Sequence, residues 1–348
     1  MKNFVGLLFL LMGVSVYGQT SKIRPYNECE TIAFCSYESY DPSQYVESDN
    51  NWELLHTLRT PMSFKELKAT GVPVTESQIL LLQIGGLIEK ENNVLKTIMP
   101  IFDKEQTKSI RSLSKTIAQS AYAMSENEWH AFLSELKKNN LENAYSLVFS
   151  YILDGKIWKK QLPSPDSLTN NATWKGAYWA LYDKRQNGLS YGTNGFSKFD
   201  KIFYQTWSDS LSYWLGSKTI FKFIEEYGQY KKIVSADLIE KSKEWGLVNE
   251  QGEVIIPTIN ESSDSTIVKI SDNIIAKLAS CVNQHSSDFM TKYQLTNENL
   301  AKVILYHEVM WDMMDILVNK KIITQPSILK GSTDAHKKDF GQITYILE

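Results

Sequence analysis

The apolar positions of this chain change period several times, and each change marks an element. Trp52 to Leu58 has helical spacing. Ser63-Phe64-Lys65-Glu66 and Thr75-Glu76-Ser77-Gln78 each have the form of a capping box, a hydroxyl followed three residues later by Glu or Gln. The first predicts a helix ending at Gly71. The second predicts one running through Ile79, Leu82 and Gln83 into Gly85-Gly86. Leu87-Ile88, a polar Glu91-Asn92-Asn93 and an apolar Val94 to Ile98 then predict a β-hairpin. Ser109 to Tyr122 carries Ile110, Leu113, Ile117 and Ala121 on one helical face. Ser125-Glu126-Asn127-Glu128 has the form of a third capping box, so a separate helix through Trp129, Phe132 and Leu136 is expected. Asn143 to Leu153, Ile267 to Val282 and Glu298 to Val318 predict further helices, and Phe340 to Leu347 alternates as a strand does.

The pattern also repeats. Gly86 to Leu95 aligns without a gap with Gly246 to Ile255, Thr75 to Ile79 with Ser235 to Ile239, and Phe64-Lys65 through Gly71 with Phe221-Lys222 through Gly228. Downstream, Leu113, Ile117, Ala118 and Ala121 correspond to Ile274, Leu278, Ala279 and Val282. Helix, helix-turn-helix and hairpin in that order resembles a winged-helix domain. The Gly-Leu-Ile/Val entry to the hairpin is similar to that of MarR- and ArsR-like bacterial regulators. The resemblance implies a third helix that reads DNA and flanking helices that dimerise. Duplication would build that pairing within one chain, as a pseudo-dimer. The expected fold is mainly α with short β-hairpins (α+β), as tandem winged-helix-like repeats with helical extensions. The expected divisions are 1–18, a signal peptide; 19–48, an N-terminal segment; 49–160, the first repeat; 161–205, an insert; 206–325, the second repeat; and 326–348, a tail with a strand.

Composition and charge change what that resemblance implies. The chain is 43% hydrophobic and 22% charged with a net charge of −3, an ordinary globular balance with no overall attraction to nucleic acid. The expected recognition helix, Thr75 to Gly85, holds Glu76, Gln78 and Gln83 but no lysine or arginine. Its second copy sets Lys241 and Lys243 among Asp237, Glu240 and Glu244. Neither has the basic footprint of a DNA reader. The first residues point outward from the cytoplasm: Lys2, an apolar run from Phe4 to Tyr17, and Val16-Tyr17-Gly18 read as a secretory signal cleaved after Gly18. The run is too short to span a bilayer comfortably, so no stable membrane span is expected in the mature chain.

Candidate chemistry is sparse. Of three cysteines, Cys29 and Cys35 are close enough in sequence to suggest a small disulfide loop, and Cys281 reads as a buried hydrophobe. His307, Glu308 and Asp312, with Asp315 nearby, form the one catalytic-looking cluster, but Trp311 stands where an HExxH motif needs histidine. His307 falls on an apolar stripe, and the acids read as a solvated face. No metal spacing and no cofactor motif is present. The insert is dense in aromatics: Trp174, Tyr178, Trp179, Tyr182, Tyr191, Phe196, Phe199 and Phe203. Tyr191, in the glycine-rich Asn187 to Gly195 turn, with Trp174 and Trp179, is the candidate contact surface for a protein or glycan. Asn171-Ala-Thr and Asn260-Glu-Ser match glycosylation sequons.

The sequence therefore predicts an exported, periplasmic or extracellular, non-enzymatic binding or assembly protein. Two alternatives stand beside it: a winged-helix DNA-binding regulator with an uncleaved N-terminal segment, and a hydrolase using His307 and nearby acids.

Overall fold

From the N-terminal side, the strand β1 (Glu30–Tyr37) leads through helices α1 (Pro42–Glu47) and α2 (Asn51–Thr57) to β2 (Met62–Ser63), α3 (Phe64–Ala69) and α4 (Glu76–Ile84). The hairpin β3 (Ile88–Glu91) and β4 (Val94–Thr97) follows, then β5 (Ile101–Phe102). This computed structural model describes residues 23–37, 40–141, 144–168, 173–185, 191–208, 211, 215–262, 265–331 and 334–348, and the Phe4 to Tyr17 run and Asn171 lie outside them. Both expected capping boxes form: Ser63 and Thr75 accept from the backbones of Glu66 and Gln78, whose side chains return to the capping residues. Asn92 and Asn93 both have positive φ, which matches the two-residue turn to the twist of β3 and β4. The sheet order is β2-β4-β3, antiparallel throughout.

The expected break at Ser125 does not occur. Helix α5 (Lys104–Lys138) runs unbroken for 35 residues, opened by a capping box between Asp103 and Gln106. Ser125 is buried in its middle and donates to the Ala121 carbonyl at 2.6 Å, an intrahelical bond rather than a cap. The next turn is wider than predicted: Leu147–Lys156 is π-helical and passes into α6 (Ile157–Lys160). Across residues 161–205, expected as a separate insert, three strands form: β6 (Trp174–Leu181), β7 (Tyr191–Lys198) and β8 (Lys201–Ser208).

The second half holds α7 (Ser217–Tyr230), α8 (Ala236–Glu244), β9 (Thr258–Ile259), α9 (Ser265–Tyr293), α10 (Glu298–Asn319) and β10 (Thr344–Leu347). The tail strand is shorter than its alternation suggests, because residues up to Ile343 are 3-10 helical. Helices α5, α9 and α10 pack on one another as the centre of the molecule. Overall the chain is mostly helical with small sheets, an α+β architecture.

Strand β6 joins the parts. It pairs antiparallel with β1 and parallel with β5, so its neighbours come from either side of the β2-β4-β3 unit in sequence. Side chains alternate along a strand. Trp174 and Tyr178 therefore enter the small core of Leu54, Leu55, Leu67 and Leu82, while Ala177 and Trp179 enter the large helical core. The four-residue spacing of Trp174 and Tyr178 is the strand period taken twice. Strands β7, β8, β10 and β9 make a second sheet in that order.

Candidate functional site

Glu308 and Asp312 project from α10, one turn apart, into the molecule rather than into solvent. They are 0% and 3% exposed, which corrects the expectation of a solvated acidic face; only Asp315 is exposed. Two arginines reach them from distant segments. Arg185, just beyond β6, donates from Nη2 to Glu308 Oε2 at 2.8 Å and lies with Nη1 3.4 Å from Asp312 Oδ1. Arg111, on α5, reaches Glu308 Oε2 through Nε at 3.3 Å and Glu30 Oε2 through Nη2 at 2.6 Å. Ser114 Oγ donates to Asp312. The Arg185 backbone N–H donates to Glu30 at 2.9 Å, which fixes the chain just beyond β6.

The cluster thus sets three carboxylates against two guanidiniums and joins β1, α5, the β6 exit and α10. Burial pushes the Glu308 carboxyl up, but Arg185, His307 and Arg111 outweigh it and hold it down at about 2. Glu30 and Asp312 are raised instead. Burial dominates in both, with repulsion from Glu308 added. His307 Nδ1 faces Glu308 Oε1 at 3.8 Å, and its ring meets Trp179 edge-on at 5.3 Å between centroids. A carboxylate held near pH 2 and locked by two arginines is poorly matched to proton transfer near neutrality. The His307, Glu308 and Asp312 candidates are better described as a cross-brace than as a catalytic set. Among the described residues, no three His, Cys, Asp or Glu side chains converge as metal ligands.

A second polar cluster lines the π-helical turn. Asp154, whose carboxyl is raised by burial, accepts from Thr193 Oγ1 at 2.6 Å and Trp158 Nε1 at 3.3 Å. Ser150 and Thr206 share a bond of 2.7 Å beside it. These groups satisfy one another across the β7–β8 face.

The aromatic contact surface is not formed as expected. Trp174 and Trp179 are 5% and 0% exposed, since β6 is covered on both faces, so neither offers a ring to a ligand. The Tyr191 side chain and residues 186–190 lie outside the described residues. The Cys29–Cys35 bridge is also overturned. Cys35 lies on β1 and Cys29 leads into it with extended backbone. Six residues of strand separate their Cα atoms by about 20 Å, far beyond disulfide reach. All three cysteines are free thiols.

What the sequence reading passed over is the outer face of α4. Leu80, Leu81 and Ile84 are 57%, 38% and 51% exposed, at the spacing of one helical stripe. Helix α8 begins 160 residues after α4, and both are nine residues long. They also end alike. Leu87 N–H bonds Leu82 O at 3.0 Å, Leu247 N–H bonds Ser242 O at 3.0 Å, and Gly86 and Gly246 have φ of +66° and +67°. Yet the positions matching Leu80, Leu81 and Ile84 are Glu240, Lys241 and Glu244, all exposed. They border an open groove of about 840 Å³ with Ile255 and Lys338. At positions 160 residues apart, α4 thus turns apolar side chains outward and α8 charged ones. No helix among the described residues is long and apolar enough to cross a membrane. No known protein family, curated protein or solved structure matches the chain.

Proposed function

We propose that the chain is an exported, non-enzymatic binding or assembly protein built on two winged-helix-like units, and that the outer face of α4 holds a partner protein. The observation that carries this reading is the Leu80, Leu81 and Ile84 stripe, on the helix that a winged helix uses for recognition. Its support for winged-helix character is the order α2, β2, α3, α4, β3, β4 with sheet order β2-β4-β3. The second half repeats it in reduced form as α7, α8 and the bridge from Val248 to Val254. Aliphatic side chains at i, i+1 and i+4 suit a hydrophobic groove or helix on another protein. Glycans call for exposed aromatic faces, and the tryptophans offered for that role are interior. DNA calls for cations, and α4 has none.

The test has two arms, both in the native host. N-terminal sequencing of fractionated cells should give a chain beginning at Gln19 outside the cytoplasm. A photoreactive residue at position 81 should capture a discrete protein, and one at Lys96 should not. An uncleaved cytoplasmic chain, or no difference between the two positions, overturns the reading.

A further inference from the structure

The seam between α5 and α9 brings two sulfur donor atoms into contact. The two helices run antiparallel: Lys277 Nζ donates to the Met124 carbonyl at 2.7 Å, and Lys292 Nζ to Ser109 Oγ at 2.7 Å. Lys277, Cys281 and Lys292 each meet α5, and His285 follows Cys281 by one turn on the same face of α9. Within it, Cys281 Sγ lies 3.6 Å from Met124 Sδ. Cys281 is 4% exposed, while Met124 is 49% exposed. His285 is half-buried one turn along from Cys281.

We infer that Cys281, Met124 and His285 form a binding site for a soft monovalent cation of the Cu(I) or Ag(I) type. Thiolate and thioether donors select such ions, and imidazole accepts them. The sulfur spacing fits. With metal–sulfur bonds of about 2.3 Å, two sulfurs 3.6 Å apart subtend roughly 100° at a shared ion. That leaves one side open for an imidazole nitrogen, and i and i+4 residues on a helix face are about 5–6 Å apart at Cβ, within reach of one ion. Half-exposed Met124 supplies the way in from solvent. On binding, the Cys281 S–H bond breaks and an S–metal bond forms. The proton leaves to solvent, and no electron is transferred. Carboxylate and histidine spacing alone does not disclose such a site, because one of its three donors is a methionine on another helix.

The experiment is titration of the full-length reduced protein with Ag(I), followed by native mass spectrometry, and with Cu(I) against a bicinchoninate competitor. The wild type should take up one ion. Cys281→Ser should abolish this uptake, Met124→Leu should weaken it at least tenfold, and His285→Gln several-fold. Circular dichroism melts confirm that each variant folds, and Met124→Leu keeps the volume of an exposed side chain, so the test survives a misfolded Cys281→Ser. Three results would each overturn the site: no stoichiometric uptake, uptake retained in Cys281→Ser through Cys29 or Cys35, or wild-type affinity in both Met124→Leu and His285→Gln.

Discussion

The Arg185 guanidinium holds two carboxylates one turn apart on α10, Glu308 at 2.8 Å and Asp312 at 3.4 Å, from a position 123 residues away in sequence. Removing one partner of a buried ion pair strands the other, at a cost of about 3–5 kcal/mol. Arg185→Met should destabilise the protein by that amount in urea unfolding, with Arg111 moderating the loss. Adding Glu308→Leu and Asp312→Leu to it should restore much of the stability, because the uncompensated charge goes with them. A triple variant weaker than Arg185→Met would refute the cross-brace.

The same cluster sets the acid limb of stability. Glu308 titrates at about 2 in the folded chain against an ordinary 4.5. Its contribution is fully present above the ordinary value and is lost as pH falls toward 2. Glu30 and Asp312 are raised, so theirs is present below their ordinary values and is lost as pH rises through the raised ones. Acidification should therefore remove the Glu308 contribution while Glu30 and Asp312 oppose the loss, and Glu308→Gln should flatten the acid limb. Parallel acid limbs for the two proteins would contradict the assignment.

The α4 face is separable from folding. Leu80→Glu, Leu81→Lys and Ile84→Glu together give α4 the outward residues of α8. Exposed substitutions usually stay within about 0.5 kcal/mol each. The triple variant should melt within a few degrees of the wild type while losing the cross-linked partner. Loss of the fold would mean that this face belongs to the core.

Thiol counting tests the cysteines. With Cys29 leading into β1 and Cys35 on it, non-reducing denaturation followed by Ellman titration should find three thiols per chain. A count of one would show a bridge and require a different path for β1.

Gly246 is held by contact as well as by conformation. A Cβ there would lie 2.4 Å from the Lys338 carbonyl oxygen, on a residue with φ of +67°. Gly71 has φ of +84° with nothing within 4 Å. Gly71→Ala should cost about 1 kcal/mol from the left-handed conformation alone. Gly246→Ala should cost clearly more, as read by thermal unfolding.

Local rules recovered what local chemistry decides. The boxes at Ser63 and Thr75, the hairpin around Asn92-Asn93 and helices α9 and α10 were all legible. Ser125 misled because its residues satisfy a capping pattern while Ala121, Trp129 and Phe132 continue the apolar face without interruption, and burial of that face keeps the helix whole. Strand β6 was hidden because a strand covered on both faces has no polar alternation to betray it. The arginine brace could not be read at all: Arg111 and Glu308 are 197 residues apart, and only packing of α5 on α10 brings them together. The α4 stripe was visible as residues, but its exposure depended on which helix face the small core took.

The position of β6 between two cores has a consequence for how the chain comes apart. A fragment ending near residue 160 would contain every helix and strand of the first half yet lack Trp174 and Tyr178, which close its small core, and the strand that pairs with β1 and β5. Such a fragment has an open seam, and the remainder would lose the β1 and β5 neighbours of β6 in the same cut. The two halves are thus interleaved by chain path and should melt in a single cooperative transition, whatever their kinship in sequence.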